Sequence, residues 1–239
     1  MKYFRTPAQQ IGWLFVLATA AGVLSVVVMA STLGDEDLLE AVEANQTSLL
    51  LGEMLIFVML AAMIGTAVLL WPILRGRSET LALSYVLART LEVVTIAIGV
   101  VAGLLLVPLS WSAATADGAG LAGADVLAET LKTATDWTGY LGAQMVFSIS
   151  ALVLNWAFLR YRLIPRWLSV WGLVGVPLMF LSGLLVMFES LNSNASALNV
   201  LVVPLAVQEM VMAIWLIVKG FSDVADAVPR SEVPEPLTA

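Results

Sequence analysis

The sequence predicts an all-α membrane protein, a six-transmembrane-helix bundle with its N and C termini in the cytoplasm. Three observations point there. The 239 residues are 60% hydrophobic and only 12% charged, with a mean hydropathy of +0.95; a soluble domain is nearer ~45–50% apolar and ~25% charged. Six stretches reach the ~20 mainly apolar residues that cross a bilayer. The basic residues fall on alternate connections, as the positive-inside rule requires.

The spans are expected at about 11–31, 48–74, 81–108, 137–159, 167–188 and 198–218. The first has a cleavage-like Val28-Met29-Ala30, but its apolar run is about twice the ~7–15 residues of a signal peptide, so it reads as a retained helix. The first outer connection, with Asp35, Glu36, Asp37, Glu40 and Glu43, reads as a short helix with acids in its first turn. A longer outer loop is expected over about 109–136, with one helical piece, A-D-V-L-A-E-T-L-K. Residues 1–221 form one membrane domain, and 222–239, with Pro229, Pro234 and Pro236, read as a disordered cytoplasmic tail.

Orientation follows from the 11 basic residues. With six crossings, Lys2, Arg5, Arg75, Arg77, Arg160, Arg162, Arg166, Lys219 and Arg230 share one side. Only Lys132 lies opposite, and Arg89 lies inside a span. That side is the cytoplasm. Trp71, Trp111, Trp137, Trp167 and Trp171 cluster at span ends as an interfacial belt.

Composition narrows the chemistry. There is no cysteine and no histidine, which removes disulfides, thiolate nucleophiles and most zinc, haem and triad designs. No phosphate loop and no retinal-type lysine is present. No catalytic residue, metal ligand or cofactor is therefore assigned. The net charge of −7 argues against nucleic acid as a partner. The expected partners are the lipid bilayer and either another membrane protein or a second copy of the chain. The substrate, small molecule or ion, is not encoded in any motif.

Charges at membrane depth carry the functional hypothesis, because each costs a few kcal/mol or more there. In span three, Tyr85, Arg89, Glu92, Ile96, Gly99 and Gly103 share one helical stripe at about 100° per residue. Glycines four apart let a neighbouring helix approach, so the stripe faces protein. Arg89 and Glu92, three residues apart, are placed to pair. Span two adds Glu53, and span six adds Gln208 and Glu209. Span four offers Tyr140, Gln144, Ser148, Ala151 and Asn155 on one stripe. At ~1.5 Å per residue, Glu92 and Glu209 each lie about 17 Å from a helix start, near the midplane of a ~30 Å core. One arginine cannot neutralise three carboxylates. A second carboxylate beside the pair meets low dielectric and a like charge, both of which favour its neutral form. The binding or ion-coupling candidates are thus Arg89, Glu92, Glu209, Glu53, Tyr85, Gln144, Asn155 and Gln208. The alternative is an ion pair that fixes helix register. Pro177 and Pro204 remove backbone hydrogen bonds at depth. An inverted repeat of three plus three spans would pair Glu92 with Glu209.

Three segments together carry a family resemblance: A-R-T-L-E in span three, Y-R-L-I-P-R-W-L-S-V-W-G-L between spans four and five, and Q-E-M-V-M-A-I-W-L-I-V-K-G-F closing span six. Over about residues 8–221 the chain resembles the bacterial integral membrane family called domain of unknown function 4386. The resemblance implies a six-helix protein of the bacterial cell membrane. It makes Arg89, Glu92, Pro165 and Glu209 pattern positions, with no role to carry over. The expected function is a small transporter or ion-coupled carrier using the buried Arg and Glu residues. A structural or regulatory membrane subunit is the rival, and an intramembrane hydrolase comes third.

Overall fold

A computed structural model describes residues 7–35, 37–188 and 195–222. Lys2, Arg5, Glu36, Arg230 and the proline-containing tail lie outside the described residues. Within them the chain is helical without a strand: α1 (Pro7–Leu33), α2 (Leu38–Ala44), α3 (Gln46–Arg75), α4 (Glu79–Ala113), α5 (Gly118–Tyr140), a π-helical segment (Leu141–Val146), α6 (Phe147–Tyr161), α7 (Arg166–Phe188) and α8 (Ala195–Val218). Six helices are long and apolar enough to cross a membrane, with α5, the π segment and α6 counting as one, Gly118–Tyr161.

The six spans form a closed ring in chain order. α1 packs on α3, α3 on α4, α4 on the π segment and α6, α6 on α7, α7 on α8, and α8 back on α1. Apolar side chains on the outer face are bare: Phe57 is 67% exposed and Ile98 57%. Such a surface is stable only against lipid. Each span alternates in direction, so the bundle has a basic end, with Arg75, Arg77, Arg160, Arg162, Arg166 and Lys219, and an acidic end, with Asp35, Asp37, Glu40, Glu43, Asp117, Asp125 and Glu129.

The turns at the basic end are tight and locally encoded. Ser78 caps α4, its Oγ accepting from the Leu81 N–H at 3.3 Å. α6 stops at Arg162, which takes a left-handed conformation (φ 53°), and Pro165 precedes the first turn of α7. Between them Leu163 and Ile164 are fully buried in a core with Ile11, Phe15, Leu70, Leu74 and Phe158.

The acidic end departs from expectation. α4 runs on to Ala113, and α5 begins at Gly118, so most of the expected long loop is an antiparallel helical hairpin. Tertiary packing overrides the weak propensity of the Gly- and Ala-rich opening. Ala128 is buried against α2 and α4 residues, and the Thr135 hydroxyl donates to the Gly99 carbonyl at 3.3 Å.

One close helix contact yields a stability prediction. A Cβ on Gly12 would lie 2.6 Å from the Ala213 carbonyl oxygen of α8, and backbone cannot swing aside as a side chain can. Gly12→Ala is expected to cost about 1–3 kcal/mol by overpacking, read as a lower unfolding temperature in detergent. Gly123→Ala, with nothing within 4 Å, is expected to be neutral or slightly stabilising.

Candidate functional site

The stripe on α4 turns inward. Tyr85, Arg89, Glu92, Ile96, Gly99 and Gly103 are all buried. Arg89 is 4% exposed and Glu92 2%. Arg89 Nη1 donates to both Glu92 oxygens, at 3.1 and 2.9 Å, and the Ser150 hydroxyl of α6 donates to Glu92 Oε2 at 3.0 Å. Glu92 therefore accepts three hydrogen bonds from two residues, and the α4 charge pair is locked to a second helix, α6.

Arg89 is also enclosed by rings. Its Cζ lies 5.8 Å from the Phe15 and Tyr85 centroids and 5.6 Å from that of Phe147. Each aromatic face attracts the guanidinium at this range, more strongly when water is excluded. The Tyr85 hydroxyl lies 3.5 Å from the Thr66 hydroxyl.

Glu209 is held differently. Its Oε1 is 4.0 Å from Arg89 Nη2, and it makes no hydrogen bond among the described residues. Its side chain keeps 18% of its surface accessible, and it lines a central cavity of about 170 Å³. All six spans contribute to that wall, among them Phe15, Met59, Arg89, Phe147, Met179 and Glu209. A turn above Glu209, Pro204 lies within α8 and leaves the carbonyl of Val200 without its usual donor.

The other sequence candidates separate into three places. Gln208 and Asn155 form an amide network on the basic side of the cluster. Gln208 Nε2 donates to Asn155 Oδ1 and to the Leu168 carbonyl, both at 3.1 Å, and Asn155 Nδ2 donates to the Ala151 carbonyl at 2.9 Å. Between network and cluster is a gap of about 10 Å³, at the lower limit for one water. Gln144 is on the π segment, its Oε1 buried without a hydrogen bond among the described residues. Glu53 does not join the cluster. It lies 3% exposed near the acidic end of α3, with neither oxygen hydrogen-bonded among the described residues. Its carboxylate fills the space left by Gly103, where a Cβ would overlap it.

Ser150, Phe15 and Phe147 were not candidates from the sequence. Ser150 was missed because α6 buries a face wider than the polar stripe, taking in Ser150, Leu154, Ala157 and Phe158 as well as Ser148, Ala151 and Asn155. The signal for Phe15 and Phe147 is position, because they are aromatic residues inside spans and away from the interfacial belt.

A family model described as a domain of unknown function (DUF4386) matches residues 10–220. No curated protein and no solved structure matches the chain. The match runs from within α1 to just past α8 and takes in the whole ring of spans and the Arg89 cluster, so the chain belongs to the DUF4386 family.

Proposed function

We propose that the protein is a small ion-coupled carrier, with Glu209 as the carboxylate that exchanges its counter-ion. One observation carries this reading. Of two carboxylates beside Arg89, Glu92 is fixed by three hydrogen bonds, whereas Glu209 is held by a single 4.0 Å contact and faces a cavity walled by every span. Arg89 and Glu92 then serve as a fixed electrostatic floor. Glu209 takes up and releases a proton or small cation as the bundle rearranges around it. The reading places both termini in the cytoplasm of a bacterial cell, because the basic end of the ring belongs on that side.

The test is flux. Purified protein in liposomes is assayed for proton uptake with an entrapped pH dye, and for radiosodium uptake, under an imposed potential. Uptake above that of empty liposomes is expected for one of the two ions. It should be lost in Glu209→Gln and kept in Glu53→Gln. Equal uptake by wild type and Glu209→Gln, or none of either ion, would rule the carrier out.

A second reading, a membrane subunit, is favoured by the hairpin at the acidic end. There Val126 is 69% exposed and Leu127 48%, on a helix extending beyond the span. Such a subunit should co-purify with its partner from native membranes, and lose it on Val126→Glu/Leu127→Glu. The hydrolase reading needs two accessible carboxylates; Glu92 also lines the cavity, but it is 2% exposed and its oxygens are taken by Arg89 and Ser150.

A further inference from the structure

We infer that the central cavity takes a small organic cation, a compact ammonium carrying apolar groups, with Glu209 as its counter-ion and Phe15 and Phe147 as its walls. The inference rests on the reading of Glu209 as the exchanging carboxylate and adds the substrate class.

Charge balance comes first. With all three groups ionised, Arg89, Glu92 and Glu209 leave one uncompensated negative charge. Glu92 is saturated by Arg89 and Ser150, so the excess resides on Glu209, on the cavity side. A site of this sign at membrane depth attracts a cation and disfavours an anion.

The lining sets the rest of the ligand. Besides Arg89, Glu92 and Glu209, the wall is almost wholly apolar, with two phenyl rings and the thioethers of Met59, Met63 and Met179. For a strongly hydrated metal ion the wall offers few oxygen ligands: the hydroxyls of Thr19 and Thr66 and the carboxylates of Glu92 and Glu209, with Glu92 already engaged by Arg89 and Ser150. Among the described residues no group of three or more carboxylates is placed to hold a metal. An ammonium clothed in methyl or methylene groups loses little hydration and gains from aromatic faces. The same two rings already receive the Arg89 guanidinium at 5.8 and 5.6 Å, so the structure itself displays the pairing of cation, rings and carboxylate. Thioethers adapt to ligands of varied shape. At about 170 Å³ the cavity is below the ~300–1,000 Å³ of sites for drug-sized molecules, which limits the cation to a few methylated carbons.

A separate feature favours the same charge. At the acidic end, a cleft of about 590 Å³ between α2 and α5 is lined by Asp37, Glu40, Asp125 and Glu129. Summed negative potential on that end of the bundle raises the local concentration of cations.

The test is equilibrium binding to purified protein in detergent, without flux. Choline is the probe, and its neutral carbon isostere, dimethylbutanol, is the control. Calorimetry is expected to detect choline binding and none of the isostere. Glu209→Gln should weaken choline by at least about tenfold, Glu209→Asp should retain it, and Phe147→Leu should weaken it by about tenfold. Absence of choline binding, equal binding of both probes, or choline binding unchanged in Glu209→Gln would overturn the inference. The two failures are distinguishable. Proton or sodium flux that needs Glu209 without choline binding leaves the carrier standing and removes the organic cation. Choline binding without any flux does the reverse.

Discussion

Arg89→Met is expected to lower stability by about 3–5 kcal/mol, the cost of leaving buried charge without its partner. The loss is larger than for either neighbour, for a geometric reason. Without the guanidinium, Glu92 and Glu209 face each other at membrane depth, and three aromatic rings lose the cation they enclose. Glu92→Gln should cost less, because Glu209, now 4.0 Å away, is placed to take over the guanidinium. The double variant Arg89→Met/Glu92→Gln should recover much of the single Arg89→Met loss, since removing both partners leaves less unpaired charge. Unfolding temperatures in one detergent measure all four proteins. Additive losses would show that the two side chains are not an energetic pair.

Glu53→Met is expected to go the other way, with stability unchanged or raised by about 1–3 kcal/mol. Glu53 is buried with no hydrogen bond to either oxygen and no ion pair among the described residues. Methionine has a similar shape and no polar atoms to desolvate. It also retains the packing that the carboxylate now makes on Gly103. A fall as large as that of Arg89→Met would mean that Glu53 is a paired structural group. The expected contrast is between Glu92, which stabilises through Arg89 and Ser150, and Glu53, which is buried without such partners among the described residues.

Much of this was legible in the sequence, and the limits have physical causes. Spans are set by length and hydropathy, so all six were visible. The pairing of Arg89 with Glu92 follows from spacing on one helix, and glycines at positions 99 and 103 told which way that helix turns. The meeting of Arg89 with Glu209 depends on which helices become neighbours, which no local pattern encodes; depth arithmetic gave only equal heights. Glu53 looked equivalent to Glu209 because both are single carboxylates in apolar runs, and only packing separates the cavity from the Gly103 contact. Ser150 was hidden because it lies about 100° round α6 from Ala151, outside the narrow polar stripe, on the part of the buried face it shares with Leu154 and Ala157. The α5 hairpin was hidden because glycine and alanine report flexibility, while the contacts that order them come from α2 and α4.

The central claim is that Glu209, and not Glu92, exchanges its counter-ion with the cavity. Infrared difference spectroscopy reads this directly, by the carboxyl stretch that appears or vanishes when lipid-reconstituted protein is shifted between acid and alkaline buffer. Wild type should show a buried-carboxyl band that titrates. That band should be absent in Glu209→Gln and present in Glu53→Met. Its persistence in Glu209→Gln, together with its loss in Glu92→Gln, would assign the exchange to the hydrogen-bonded carboxylate and contradict the account.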